Sequence, residues 1–301
     1  MKKKKNAPLR IGAGMLLLLL LVMYVGPHLP MIDQELKQET SRWADKPGGK
    51  LIMPAFAPSE KNWLGTDKKG VDSLSKLVIA AKETFYLILM ITLLRYMIGV
   101  PLGLLARKNN GFFHQLIMLL NQFFSYLPSI FSVILLLALP SLLFSQNRFF
   151  WSLLILALVE AGRVAITVKA KADRISRETY MEAGEALGLS RKRMLRAYYI
   201  PAMTPELIVN FCADIGKVTV ILGQLAVLNI FLSQEWKEVN FYTMEFVNTS
   251  FNWATLISNH RMEIFFGKFD FVFYPAFGLM LIVLTFNLLG EGLRRKYALK
   301  A

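Results

Sequence analysis

Charged side chains interrupt otherwise apolar stretches at Arg95, at Glu160 and Arg163, and at Asp214 and Lys217. A charge in lipid is costly, so each must be paired or serve a pathway. The i, i+3 spacing sets Glu160 beside Arg163 and Asp214 beside Lys217, which suits local ion pairs better than proton relays. Arg95 has no such neighbour; it is expected to pair with a carboxylate on a partner subunit, or else to meet a substrate carboxylate. Lys82 and Glu83 lie near the outer end of the same run. Enzyme chemistry finds no support. His28, His114 and His260 are far apart, Cys212 is single, and no triad or paired acids stand out. No G-x-x-x-x-G-K-[ST] is present to cradle ATP phosphates.

A second charged stretch is YMEAGEALGLSRKRMLRAYYIPA, 180–202. Tyr180, Ala183 and Leu187 recur at i, i+3, i+7 and predict one apolar helix face, with Glu178, Glu182 and Glu185 on an adjoining acidic face. Gly188 ends that helix as a residue free to take positive φ. Ser190 caps a second helix with Met194, Leu195 and Tyr198 as its apolar stripe, and Pro201 closes it. Basic residues flank that stripe. An amphipathic pair of this kind suits an anionic lipid surface as well as a protein partner.

The elements that position these groups are membrane spans. The chain has 301 residues, of which 54% are hydrophobic. Its mean hydropathy is +0.42. Six stretches, near 10–30, 77–106, 113–143, 149–169, 203–232 and 270–292, reach the roughly 20 apolar residues a spanning helix needs. The first follows MKKKK and is expected to stay as an anchor, since Gly26-Pro27 makes a poor signal-peptide cleavage site. Pro101 is expected to kink the second. Of 35 lysines and arginines, 19 fall in the segments 1–10, 106–112, 169–197 and 294–301. That asymmetry places both termini in the cytoplasm. The formal charge of +14 is then largely topology. Runs this long and pure exclude a soluble nucleic-acid-binding domain. The expected division is a tail and anchor over 1–30, an outer segment over 31–76, a core over 77–293 and a tail over 294–301. The core contains an inner loop at 174–201 and an outer loop at 233–268. The outer segment is too short to bury its own core. Trp236, Phe241, Tyr242, Phe246, Phe251 and Trp253 in the outer loop read as an interface belt rather than a ligand box.

The inner loop resembles the coupling loop of ABC-importer permeases: E-A-A, three residues, Gly, nine residues, I-x-L-P. Here stand Glu182-Ala183-Gly184, Gly188 and Tyr198-Tyr199-Ile200-Pro201 at the same spacing. Gly184, Tyr198 and Ile200 depart from that pattern. Gly65, Thr66, Asp67, Gly70, Asp72 and Ser75 match the "GTD..GRD..SR" segment of the dipeptide/oligopeptide (nickel) permeases, with Val71 and Lys76 replacing its arginines. Ile98 to Ala106 is similar to that family's second span, and FNLLGEGLR, 286–294, to its C-terminal signature. Asn252-Trp253-Ala254 resembles its "SWG". Gln224 stands where its outer glutamate would be. The chain is identified as a divergent C-type subunit of that family.

The resemblance implies an all-α membrane protein with the type I importer permease fold. It implies a second permease subunit, two ATPase subunits carrying ATP and Mg, and an extracytoplasmic binding protein. The coupling contacts would be Glu182, Ala183, Gly184, Gly188, Ile200 and Pro201. This chain itself needs no cofactor, metal or nucleic acid. An ion-coupled secondary transporter, or a non-transporting membrane scaffold, is the reading the resemblance displaces.

Overall fold

A computed structural model describes residues 6–43, 51–107, 111–240 and 243–298. The basic residues 2–5, the turn residues Pro47, Gly48 and Gly49, Lys108, Phe241, Tyr242 and Lys300 lie outside them. The helices are α1 (Ala7–Tyr24), α2 (Ser73–Leu105), α3 (Phe112–Ser125), α4 (Ser129–Leu137), α5 (Pro140–Leu143) and α6 (Arg148–Ser176). They continue with α7 (Thr179–Ala186), α8 (Arg191–Met194), α9 (Ile200–Val227), α10 (Trp253–His260) and α11 (Asp270–Ala298). Two small antiparallel hairpins interrupt them: β1 (Arg42–Trp43) with β2 (Leu51–Ile52), and β3 (Gln234–Asn240) with β4 (Thr243–Asn248).

Among the described residues four helices, α1, α2, α6 and α11, are long and apolar enough to cross a membrane, and a bent pair makes a fifth if the two helices form one broken span. That pair corrects the expected span over 113–143. α3 and α4 meet at 95°. Pro128 stands at the bend, without an amide hydrogen to continue the ladder and with α conformation disfavoured for Leu127 before it. The stretch expected to span at 203–232 is α9, whose 28 residues carry Glu206, Asp214 and Lys217. Pro101 lies inside α2, which is one continuous helix of 33 residues.

The bundle is held by close approach. α2 and α6 pack through Gly99 and Gly103, and a Cβ on Gly103 would lie 2.5 Å from the Ala165 carbonyl oxygen and 2.7 Å from Val168 Cβ. Small residues supply such contacts where lipid removes the hydrophobic drive between helices. α1 runs antiparallel to α11, and the Asn6 side-chain amide donates to the Gly292 carbonyl at 2.6 Å. Both ends of the described chain therefore meet at one end of the bundle. The described part of 233–268 closes the other. There the α10 capping box of Asn252 and Thr255 fixes the helix start. Trp253 then donates Nε1–H to the Leu77 carbonyl at 2.8 Å, and its own amide to Thr84 Oγ1 at 2.8 Å. Glu83 accepts from the Phe251 amide at 3.0 Å. Trp253 is thus a buried staple rather than part of an interface belt.

Gly103→Val is expected to lower the thermal unfolding midpoint in detergent, by a destabilisation of about 1–3 kcal/mol from overpacking. Gly14→Val, where a Cβ meets nothing within 4 Å, is the control and should leave the midpoint unchanged.

Candidate functional site

The loop between α6 and α9 is folded onto the bundle. α7 ends in a paired C-cap: the Gly188 amide donates to the Glu185 carbonyl at 2.9 Å and the Leu189 amide to Gly184 at 3.2 Å. Gly188 has φ 70°, as that geometry requires. Ser190 caps α8 by accepting from the Arg193 amide at 3.4 Å. Met181, Met194 and Tyr199 are buried with Val164, Val168, Ala172, Ile175 and Met203, so the loop shares a small core with α6 and α9. A Cβ on Gly184 would lie 2.8 Å from Met194 Sδ, so glycine here lets the two short helices touch. Tyr180 stacks on Tyr198 at 5.7 Å between ring centroids. The Arg107 guanidinium lies 5.3 Å from the Tyr199 ring centre.

One helix face is assigned and one expectation is corrected here. The apolar stripe Tyr180, Ala183 and Leu187 faces outward, with Leu187 79% exposed, because Met181 and Gly184 take the inward positions against Met194. Glu182 and Glu185 are exposed beside that stripe. Pro201 does not end α8. The chain stays helical from α8 into α9 through a π turn over Leu195–Tyr199, in which the Ile200 amide donates to the Leu195 carbonyl five residues back. Such a turn admits a proline in the next turn without a break. Ile200 and Pro201 are exposed at the start of α9.

Arg163, Glu160 and Asp214 form one network inside the bundle. Arg163 donates Nε–H to Glu160 Oε2 at 2.6 Å and Nη2–H to Asp214 Oδ1 at 2.6 Å. Ser129 donates its hydroxyl to Glu160 Oε1. The expected Glu160–Arg163 pair is present, but the Asp214–Lys217 pair is not the principal one. Asp214 belongs to Arg163 on α6, and Lys217 Nζ stays 3.7 Å from Asp214 Oδ1. Three residues along a helix bring two groups to one face; the guanidinium on the neighbouring helix, which donates to Asp214 directly at 2.6 Å, still wins by geometry. Arg95 is fully buried within this chain, so in this conformation it presents no surface to a partner subunit or a pathway. It donates Nη2–H to the Leu156 carbonyl at 3.1 Å and feels the carboxylates of Asp214 and Glu160. Beside this network a cleft of about 460 Å³ opens between α4, α6, α9 and α11, lined by Ser129, Glu160, Lys217, Gln224 and Asn287.

At the opposite end, the turn before α2 is built from its own polar groups. Gly65 and Gly70 have φ 70° and 74°. Buried Thr66 accepts from the Phe56 amide at 2.9 Å. Buried Asp67 accepts from the amides of Lys69 and Val71, both at 2.9 Å, and pairs with Lys76. Burial pushes the Asp67 carboxyl up, but Lys76 and those two amides outweigh it and hold it below its usual range. Asp72 caps α2 by accepting from the Ser75 amide at 2.7 Å, and Ser75 in turn accepts from the Asp33 amide at 2.9 Å. Glu39, bonded to Arg42 and Lys61, is drawn down to about 2.

The family model for the "binding-protein-dependent transport system inner membrane component" matches residues 99–298. The chain belongs to this family. It is 24% identical over 291 residues to the "Probable D,D-dipeptide transport system permease protein DdpC" of Escherichia coli (strain K12), covering 96% of this chain and 87% of that one. It is 26% identical over 239 residues to the dipeptide transport system permease protein DppC of Alkalihalophilus pseudofirmus, covering 79% and 71%. It is 24% identical over 237 residues to the glutathione transport system permease protein GsiD of Pectobacterium atrosepticum, covering 79% and 72%. The chain is therefore a multi-pass permease subunit, and transport rather than catalysis is its family's work.

Two permease residues escaped sequence reasoning. Arg148, at the first position of α6, is buried and donates to the carbonyls of Phe231 at 3.0 Å and Leu137 at 3.1 Å. It caps the end of α4 and ties it to the chain after α9. A lone arginine beside an aromatic run carries no spacing that reveals this. The i, i+3 spacing of Lys217 to Asp214 gives no sign of its place on the cleft wall.

Arg163→Met should destabilise the permease by about 3–5 kcal/mol, since it leaves Glu160 and Asp214 buried without their shared partner. Unfolding in detergent checks this, and the triple variant with Glu160→Gln and Asp214→Asn should recover most of the loss. For Glu39 the folded carboxyl is depressed from its ordinary 4.5 to about 2. Its stabilising share is present above about 4.5 and is lost as pH falls towards 2. Hydrogen exchange over the described part of 31–76 should therefore be faster in Glu39→Gln than in wild type at pH 7, and alike in both near pH 2.

Proposed function

We propose that this chain forms half of the translocation pathway of an ATP-driven, binding-protein-dependent importer in the cell membrane, moving peptides or a similar small solute. Both termini and the α7–α8 loop are cytoplasmic. A second permease subunit completes the pathway, two ATPase subunits carry ATP and Mg, and an extracytoplasmic binding protein delivers the solute. The relatives' dipeptide and glutathione names support the solute class.

The observation that carries this reading is the outward face of α7. Its inward side is spent on the bundle, while Tyr180, Ala183 and Leu187 remain exposed beside Glu182 and Glu185. An apolar strip edged with carboxylates fits a groove on an ATPase that is apolar inside and basic at its rim. Anionic headgroups would repel those carboxylates, which disfavours a lipid-surface role for α7. Because α8 and α9 are one helical rod, a shift of the docked loop passes directly to α9. The turn over 65–75 has the separate task of holding the outer end of α2, since Thr66, Asp67 and Ser75 are buried in its own hydrogen bonds.

Glu182→Lys should weaken ATPase binding by about 1.5–3 kcal/mol, the scale of a charge-assisted contact, and Glu182→Gln by less. Gly188→Val should do so by straining the left-handed turn, at a cost of about 1–3 kcal/mol. Pull-down of the ATPase and uptake in membrane vesicles test both. Wild-type uptake in both variants would overturn the coupling role. A compensating acidic substitution on the ATPase should rescue Glu182→Lys and not Gly188→Val.

A further inference from the structure

Lys217 is the cation that the intramembrane network leaves over. Within that group three cations, Arg95, Arg163 and Lys217, meet two carboxylates, Glu160 and Asp214. Arg163 binds both carboxylates at 2.6 Å, and Arg95 is sealed behind α6 on the Leu156 carbonyl. Lys217 keeps only a 3.7 Å approach to Asp214, beyond hydrogen-bonding distance, and its side chain is 51% exposed. The excess positive charge therefore sits at the cleft wall.

Lys217 shares its face of the cleft with one further polar group on the same helix, among aliphatic side chains. Lys217, Val220, Ile221 and Gln224 fall at i, i+3, i+4, i+7 on α9 and all line the cleft. Asn287 on α11 lines it opposite, with its Oδ1 lying over Gly216. Lipid against this face would leave two amides unpaired and an ammonium with only the distant Asp214 carboxylate, which the bilayer does not tolerate cheaply. The face must therefore meet water, a ligand or a polar protein surface. Its volume of about 460 Å³ suits a small solute. Glu160, on the far wall, is already occupied by Arg163 and Ser129 and offers less to a passing cation.

We propose that Lys217 receives the C-terminal carboxylate of a peptide in transit, with the Gln224 and Asn287 amides meeting its backbone. This rests on the importer reading above. The half-exposed ammonium suits a transit position, where a ligand must be held weakly enough to leave.

The test uses the complete importer in proteoliposomes: this chain, its second permease, the ATPases and the binding protein. Uptake of L-alanyl-L-alanine is compared with that of its C-terminal amide, each normalised to peptide loaded on the binding protein. Lys217→Met should reduce dipeptide uptake about 5- to 10-fold and leave amide uptake nearly unchanged, while Lys217→Arg retains the preference for the acid. An unchanged acid-to-amide ratio in Lys217→Met, or equal loss for both compounds, overturns the assignment alone. Release of the second permease on purification of Lys217→Met also overturns it, since the carboxylate would then belong to that subunit. No uptake of either compound by the wild-type complex would overturn the peptide reading and the assignment with it.

Discussion

Arg163 sits where two long helices would otherwise bring unpaired acids into the interior of the bundle. Its planar guanidinium reaches Glu160 on its own helix and Asp214 on α9, both at 2.6 Å. A buried carboxylate left alone costs several kcal/mol, so neither helix can move far without the other. Arg95 adds charge behind the pair without a carboxylate of its own in hydrogen-bonding range, and the Leu156 carbonyl takes one of its donors. The relative placement of α2, α6 and α9 follows from this network as much as from apolar packing. Gly99 and Gly103 then allow α2 to approach α6 closely enough for Arg95 to reach the Leu156 carbonyl.

That constraint gives the loop at 177–199 its mechanical meaning. α8 runs into α9 through the π turn, and α9 carries Asp214 and Lys217 further along. A displacement entering at α7 and α8 therefore travels along a rod rather than through a hinge. Tyr199 and Met203 lock the base of the rod against α6, and Arg107 at the end of α2 covers the Tyr199 ring. The elements proposed to touch a partner and those that line the cleft belong to one packed unit. In the proposed importer, their coupling would use bistable packing between subunits rather than flexibility inside the loop.

At the other end the structure spends polar groups on order. Asp67, Thr66, Asp72 and Ser75 bond the turn before α2 to itself, and Arg148 ties α4 to the segment after α9 through carbonyl oxygens. Glu83 and Trp253 fasten α10 to α2. These contacts hold the helix ends at fixed separation. A cleft whose walls come from four helices keeps its shape only if those ends are held.

The sequence alone determined what depends on local composition and spacing. Apolar length revealed the spans α1, α2, α6 and α11, and the motif spacing at 182–201 and 65–75 pointed to the family. Gly188 and Ser190 were legible as a helix end and a helix start because their conformational and capping preferences act within a few residues. Tertiary structure decided the rest. The partner of Asp214 lies 51 residues away on another helix, and no i, i+3 rule can see it. The inward face of α7 was set by Met194, one helix on, rather than by the better apolar stripe of its own sequence. Pro128 bent an apolar run that composition reads as straight, while Pro201 failed to break a helix because the preceding turn widened to accept it. Arg148 bonds to carbonyl groups, which every residue carries and no sequence pattern marks.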